Sequence, residues 1–325
     1  MAQAADRDDP VGRIRMNVKV RAFRTEDLSA VHPVETGLFG REALPRFAFA
    51  QLLDMVHDGF QVAEVDGKVV GYVVAVRKDY RAEPTVLTSA MLPIPGHEHL
   101  LPRLTAAATV AAANAYPVGV SGTPDQPAET LGYCVRRFRV DDVESLFEVE
   151  LSAFGGEPYP RRLFRSLAVL GDGYFVAERL DERRAPEVVG YLAAFRDTND
   201  QKLGWVMSMA VHREHQDRGV GTRLLAAAEK YFADNGCREV MLTVDPQNAV
   251  ALHLYEKRHY TAIEMHIDHH GLKLSRLLMR QHSYVDQYVA PTRPLDIRPD
   301  NRSGSTRQDK GQLPERRTGL QTWWR

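Results

Sequence analysis

The chain has only two cysteines in 325 residues, Cys134 and Cys237, far apart and without metal-ligand spacing. That scarcity argues against a disulfide scaffold and a cysteine-built metal site; it suits a reducing cytoplasm, with both thiols acting as small buried apolar groups. Neither sign of charge is in excess: 42 basic and 43 acidic residues leave a formal net charge of −1. No bulk attraction to nucleic acid or to a membrane surface follows, and neither is expected as a partner. Long hydrophobic runs are missing as well. The best candidate, Leu104 to Val120, is mostly alanine and is interrupted by Asn114 and Pro117, so it is too weak to span a bilayer. Met1 to Pro10 is polar and acidic, unlike a signal peptide. At this length two domains are expected.

What is present is concentrated between Gly204 and Tyr260. The apolar, β-prone run Val206 to Val211 reads as a buried strand. A polar turn, His212 to Arg218, leads through Gly219, Val220 and Gly221 into a segment where Leu224, Leu225, Ala228 and Phe232 recur at helical spacing. Asn235-Gly236 ends that helix. A strand feeding a glycine-rich turn that opens a helix is a phosphate-binding device: the first amides of the helix lack carbonyl partners, and glycine removes the Cβ that would hold a phosphate away. The turn contains no Gly-Lys-Ser/Thr, which rules out a P-loop, and the third glycine and distal acid of a dinucleotide fingerprint are missing.

The hexamer Gln216-Asp217-Arg218-Gly219-Val220-Gly221 resembles the pyrophosphate loop of the GNAT N-acetyltransferase superfamily, Gln/Arg-x-x-Gly-x-Gly/Ala. The family's second signature follows: a strand from Glu239 to Val244, then Asn248 to Lys257 with Leu254-Tyr255, then a strand from Tyr260. The usual Gly-Phe after that helix is His259-Tyr260 here. Within the family, this core resembles the ribosomal-protein alanine acetyltransferases.

Short blocks repeat in order along the chain. Val20-Arg-Ala-Phe23-Arg is echoed by Val135-Arg-Arg-Phe138-Arg, Gly59 to Glu64 by Gly173 to Glu178, and Val69 to Arg77 by Val188 to Arg196. Such self-similarity predicts an internal duplication. The expected fold is α/β of the α+β, mixed-sheet kind: two tandem GNAT-like domains with central sheets flanked by helices. Residues 1–17 read as a disordered leader. Residues 18–130 read as a degenerate, structural copy whose second half dwindles to a short helix at Pro124 to Tyr133 and lacks the last two strands. Residues 133–282 read as the catalytic copy, ending in a hairpin turned at Asp268 to Gly271, and 283–325 as a disordered basic tail. In the first copy His99 and Leu101 align with Gly219 and Gly221, and Glu98 with Arg218, so no pyrophosphate is expected there. The layout also resembles mycothiol synthase, with no motif to carry that likeness.

The resemblance implies acetyl-CoA as co-substrate. Gln216, Asp217, Arg218, Gly219, Val220, Gly221 and Thr222 would hold its pyrophosphate, with Arg213 and Arg223 nearby. The edge of Met209, Ala210 and Val211 would pair with the pantetheine amides like an added strand. Asn248 would reach the same arm or simply cap its helix. Tyr255, which by pattern alone reads first as a core residue, would by the resemblance protonate the departing thiolate. A base is also needed; Thr243 stands where related enzymes often carry glutamate, and His212, Asp245 and Glu264 are the candidates. His266, His269 and His270 read as a solvated turn rather than a metal tract, and no metal is expected. The expected activity is N-acetyl transfer to a primary amine, on a protein N-terminus, a lysine or a small molecule, with the two copies packed as a pseudo-dimer. A non-catalytic acyl-CoA-responsive module is the alternative.

Overall fold

The computed structural model describes residues 16–78, 82–115, 128–130, 132–155, 158–168, 173–181, 184–267 and 275–282. The leader through residue 15, the turn expected at 268–271 and the tail from 283 lie outside the described residues. In chain order the amino-terminal half contains β1 (Val18–Ala22), α1 (Leu28–Phe39), α2 (Arg46–Met55), β2 (Phe60–Val65), β3 (Lys68–Val76), β4 (Thr85–Met91) and α3 (Leu100–Asn114). The carboxy-terminal half contains β5 (Ala128–Thr130), β6 (Tyr133–Arg137), α4 (Val143–Phe154), α5 (Arg161–Ala168), β7 (Tyr174–Asp181) and β8 (Arg184–Arg196). It continues with β9 (Leu203–Val211), α6 (Val220–Asp234), β10 (Glu239–Val244), α7 (Ala249–Lys257), β11 (Thr261–His266) and β12 (Arg276–His282).

Two sheets result, one in the order β1-β2-β3-β4 and one in the order β11-β12-β10-β9-β8-β7-β6-β5. The short helix expected at 124–133 is corrected by the structure. Residues 116–127 are outside the described set, and Ala128–Thr130 is a strand paired antiparallel with Tyr133–Val135, so it belongs to the second sheet.

Alternating apolar residues place one face of each sheet against a shared core, which draws Phe49, Phe60 and Tyr72 from the first half and Tyr159, Phe164 and Tyr191 from the second. The outer faces are covered separately, by α3 through Leu100, Leu104 and Ala108 and by α6 through Leu224, Leu225 and Phe232. Cross-half bonds reinforce the shared core. Arg162 pairs with the fully buried Glu35, donates to Glu42 O at 2.6 Å and lies 4.0 Å over the ring of Phe39.

Buried polar groups recur at matching places in the two halves. Arg21 bonds Asp27 and Glu64; Arg136 bonds Asp142 and Glu178. Glu35 accepts from Leu44 N and the Tyr72 hydroxyl, and Glu150 accepts from Tyr159 N and the Tyr191 hydroxyl. The carboxylates of Asp27, Glu35, Asp142 and Glu150 are buried and are held by donors that replace their hydration.

Candidate functional site

The site begins where β9 and β10 part. Their parallel pairing runs from Leu203↔Glu239 to Val206↔Leu242 and then stops. On its other side β9 is bulged, because Ala194 of β8 pairs with Val206 while Ala193 pairs with Ser208, leaving Met207 as the extra residue. A bulge bends its strand and increases the local twist, which turns Met207–Val211 away from Thr243 and Val244. The space so opened is a cavity of about 380 Å³, walled by Met209, Ala210 and Val211 on one side and Leu242, Thr243 and Val244 on the other.

At the mouth stands the turn into α6. His212 accepts from Glu214 N, and Gln216 Nε2 donates to Val211 O at 3.0 Å, tying the turn back to the strand edge. Asp217 and Gly219 both take left-handed backbone, φ 58° and 74°. Gly219 is the N-cap, and its carbonyl accepts from Arg223 N at 3.2 Å. The amides at the start of α6 therefore have no carbonyl of their own helix and bring its positive dipole end to the cavity. Gln216, Asp217, Gly219, Val220, Gly221 and Thr222 all line it. Arg218 is not on the wall; its carbonyl accepts from Arg223 Nη1 at 3.0 Å. The two glycines differ in what they spare. A Cβ on Gly219 would meet Arg223 Nη1 at 3.2 Å, whereas one on Gly221 would meet Leu254 Cδ2 at 3.3 Å, so Gly221 serves the close packing of α6 against α7.

On the far wall, Asn248 is the N-cap of α7, its Oδ1 accepting from Ala251 N at 2.9 Å, and it also lines the cavity. Two turns on, Tyr255 is 8% exposed and lines the same space. Burial pushes its phenol up to about 12, because the phenolate would lose its water.

None of His212, Asp245 and Glu264 is on the cavity wall. Two other histidines are, His215 and His253. His215 is buried, its Nδ1 lies 3.0 Å from the Tyr133 hydroxyl, and burial lowers its pKa. His215 is adjacent to Gln216 in sequence, a signal that was available; His253 follows from the helical spacing of α7. Gln51 also lines the cavity, from the other half of the chain, and no local pattern could have placed it there. A ring nitrogen of His212, a ring nitrogen of His215 and a carboxylate oxygen of Glu214 lie within 4.8 Å of one another. Among the described residues no helix is long and apolar enough to cross a membrane.

The model of the Acetyltransferase (GNAT) family matches residues 140–260. An uncharacterized N-acetyltransferase of Methanocaldococcus jannaschii is 30% identical over 127 residues, 39% of this chain and 76% of that protein. An N-alpha-acetyltransferase of Sulfurisphaera tokodaii is 31% identical over 144 residues, 41% of this chain and 83% of its own length. A mycothiol acetyltransferase of Kocuria rhizophila is 31% identical over 157 residues, and there the match spans only 50% of the relative's length. Among solved structures, Ard1 from Thermoplasma volcanium superposes with a TM-score of 0.42 at 20% identity, covering 47% of this chain and 98% of that one. With its strand-to-helix turn, its parted strands and these relatives, the chain belongs to the GNAT acetyltransferase family, its family domain at residues 140–260.

Proposed function

We propose that this acetyltransferase carries an acetyl group from acetyl-CoA directly to a primary amine in the cavity between β9 and β10. The observation that carries the proposal is the joint placement of two groups on one cavity: the open amide end of α6 at the mouth and the phenol of Tyr255 on the wall. The amides of Val220, Gly221 and Thr222 receive the pyrophosphate. The unpaired edge of Met209–Val211 meets the pantetheine arm, with Val211 O already occupied by Gln216. The neutral amine attacks the thioester carbonyl, the C–N bond forms, the C–S bond breaks and Tyr255 gives its proton to the leaving sulfur, while the proton shed by the amine nitrogen restores the Tyr255 phenol. A phenol that stays protonated up to about 12 keeps that proton until the thiolate develops.

The amino-terminal half serves as a second, incomplete copy that binds no cofactor. The matching Arg21 and Arg136 clusters and the matching Glu35 and Glu150 clusters support this. So do the helix starts: His99, at φ −75°, caps α3 where left-handed Gly219 caps α6. Catalysis in the cytoplasm accords with two buried cysteines that are not joined in a disulfide.

The test is thiol release from acetyl-CoA with a panel of peptide N-termini, lysine peptides and small amines. Amine-dependent release that Tyr255→Phe removes is expected. If coenzyme A binds but no amine raises release above hydrolysis, the chain is an acyl-CoA-responsive module, a reading that the absence of His212, Asp245 and Glu264 from the cavity wall would then explain.

A further inference from the structure

Gln51 of α2 belongs to the half of the chain that lacks the cavity, yet its side chain lines the cavity and is fixed at both ends. Its Nε2 donates to Met207 O at 2.8 Å, and its Oε1 accepts from the hydroxyl of fully buried Tyr159. Met207 is the bulged residue and the first in β9 beyond the last pair with β10, Val206↔Leu242. Where the strands separate, a main-chain carbonyl loses its neighbouring strand and needs another donor in a half-buried place. The amide of Gln51 is that donor. Met207 O can only accept, so the amide must turn its N–H toward the strand, and the Tyr159 hydroxyl, donating to Oε1, steadies it in that orientation.

We infer that Gln51 is a positioning residue for acetyl transfer: it replaces the missing strand neighbour at Met207, holds β9 and β10 apart, and makes the amino-terminal half part of the active site. The strand edge that it steadies, Met209–Val211, is the one assigned above to the pantetheine arm, so the catalytic consequence rests on the acetyl-transfer reading. The structural consequence does not.

The experiment compares full-length wild type with Gln51→Met, Gln51→Glu and Tyr159→Phe. Hydrogen exchange without ligand is followed across 205–212 and 240–245, coenzyme A affinity by calorimetry, and global stability by thermal melting. Gln51→Met keeps the bulk and removes the donor; Gln51→Glu keeps an acceptor for Tyr159 and also removes the donor. For both, exchange at 207–211 should quicken and the Kd for coenzyme A rise about 5- to 10-fold, the scale of one hydrogen bond, with the melting midpoint little changed. Tyr159→Phe, which leaves Nε2 in place but unsteadied, should move the same readouts less. Should Gln51→Met fail to fold, the other two variants carry the same measurements. Exchange and affinity within twofold of wild type in Gln51→Glu and Tyr159→Phe would overturn the inference and leave Gln51 as filler. A wild type that does not bind coenzyme A would sink the acetyl-transfer reading, while the exchange data would still decide the role of Gln51.

Discussion

Replacing Tyr255 with phenylalanine removes one oxygen from the cavity wall and leaves the ring, which lies 5.8 Å from the ring of Tyr260, in its packing. The loss should therefore fall on turnover. A positioned general acid contributes about 10²- to 10⁴-fold, so kcat should drop by that factor, or about 2.7–5.4 kcal/mol of transition-state stabilisation. The Kd for coenzyme A should stay within about threefold, because the α6 amides and the β9 edge are untouched. The pH profile supplies a second check. With its pKa pushed up to about 12, Tyr255 keeps its proton across the accessible range, so kcat should show no alkaline fall near the ordinary phenol value of 10. Stopped-time thiol release with a saturating amine, from pH 6 to 11, measures both. If Tyr255→Phe retained kcat within threefold, or if wild type lost activity around pH 10 and the variant did not, the acid role or its burial would be refuted.

Gly219→Glu should abolish coenzyme A binding, whereas Glu98→Gly in the amino-terminal half should leave it unchanged; equal effects in calorimetry would defeat the one-site model. A Cβ at Gly173 would sit 1.9 Å from Ala194 O, and one at Gly59 2.0 Å from Ala75 O, so alanine at either should cost about 3 kcal/mol or more, read from urea midpoints. Equal stability of Gly173→Ala and wild type would contradict that close approach. Between the halves, His57 Nε2 lies 3.5 Å from the buried carboxylate of Asp197, whose hydrogen bond holds the imidazole above its usual 6.5. A raised folded-state pKa means that this stabilisation is complete below 6.5 and fades as pH rises through the folded value. The melting midpoint of wild type relative to His57→Ala should therefore be greatest on the acid side, and a difference that grew toward alkaline pH would show the sign to be wrong.

The parts of the fold legible in the sequence are those set by local chemistry. Glu239–Val244 shows its alternation and is a strand with those bounds; Asn248 precedes an apolar run and caps it; Asn235-Gly236 ends α6 as the left-handed φ of Gly236 requires. The turn from His212 to Gly219 is legible for the same reason, since only certain residues tolerate its backbone. What depends on distant parts of the chain was hidden. Gln51 reaches Met207 across 156 positions, and nothing around it in sequence marks it. Gly221 looks like a residue cleared for a phosphate, yet its nearest obstacle is Leu254 of a later helix. β5 contains three residues and owes its strand form to β6, where a propensity argument has little to work with.

The continuous core between the halves has a consequence for how such a protein can be used. A partner held only by association leaves as concentration falls, and whatever it lends to a neighbour's site leaves with it. Here α2 and β9 lie on one polypeptide, so the lender cannot diffuse away, and activity per molecule should be the same in a dilute assay as in a crowded cell.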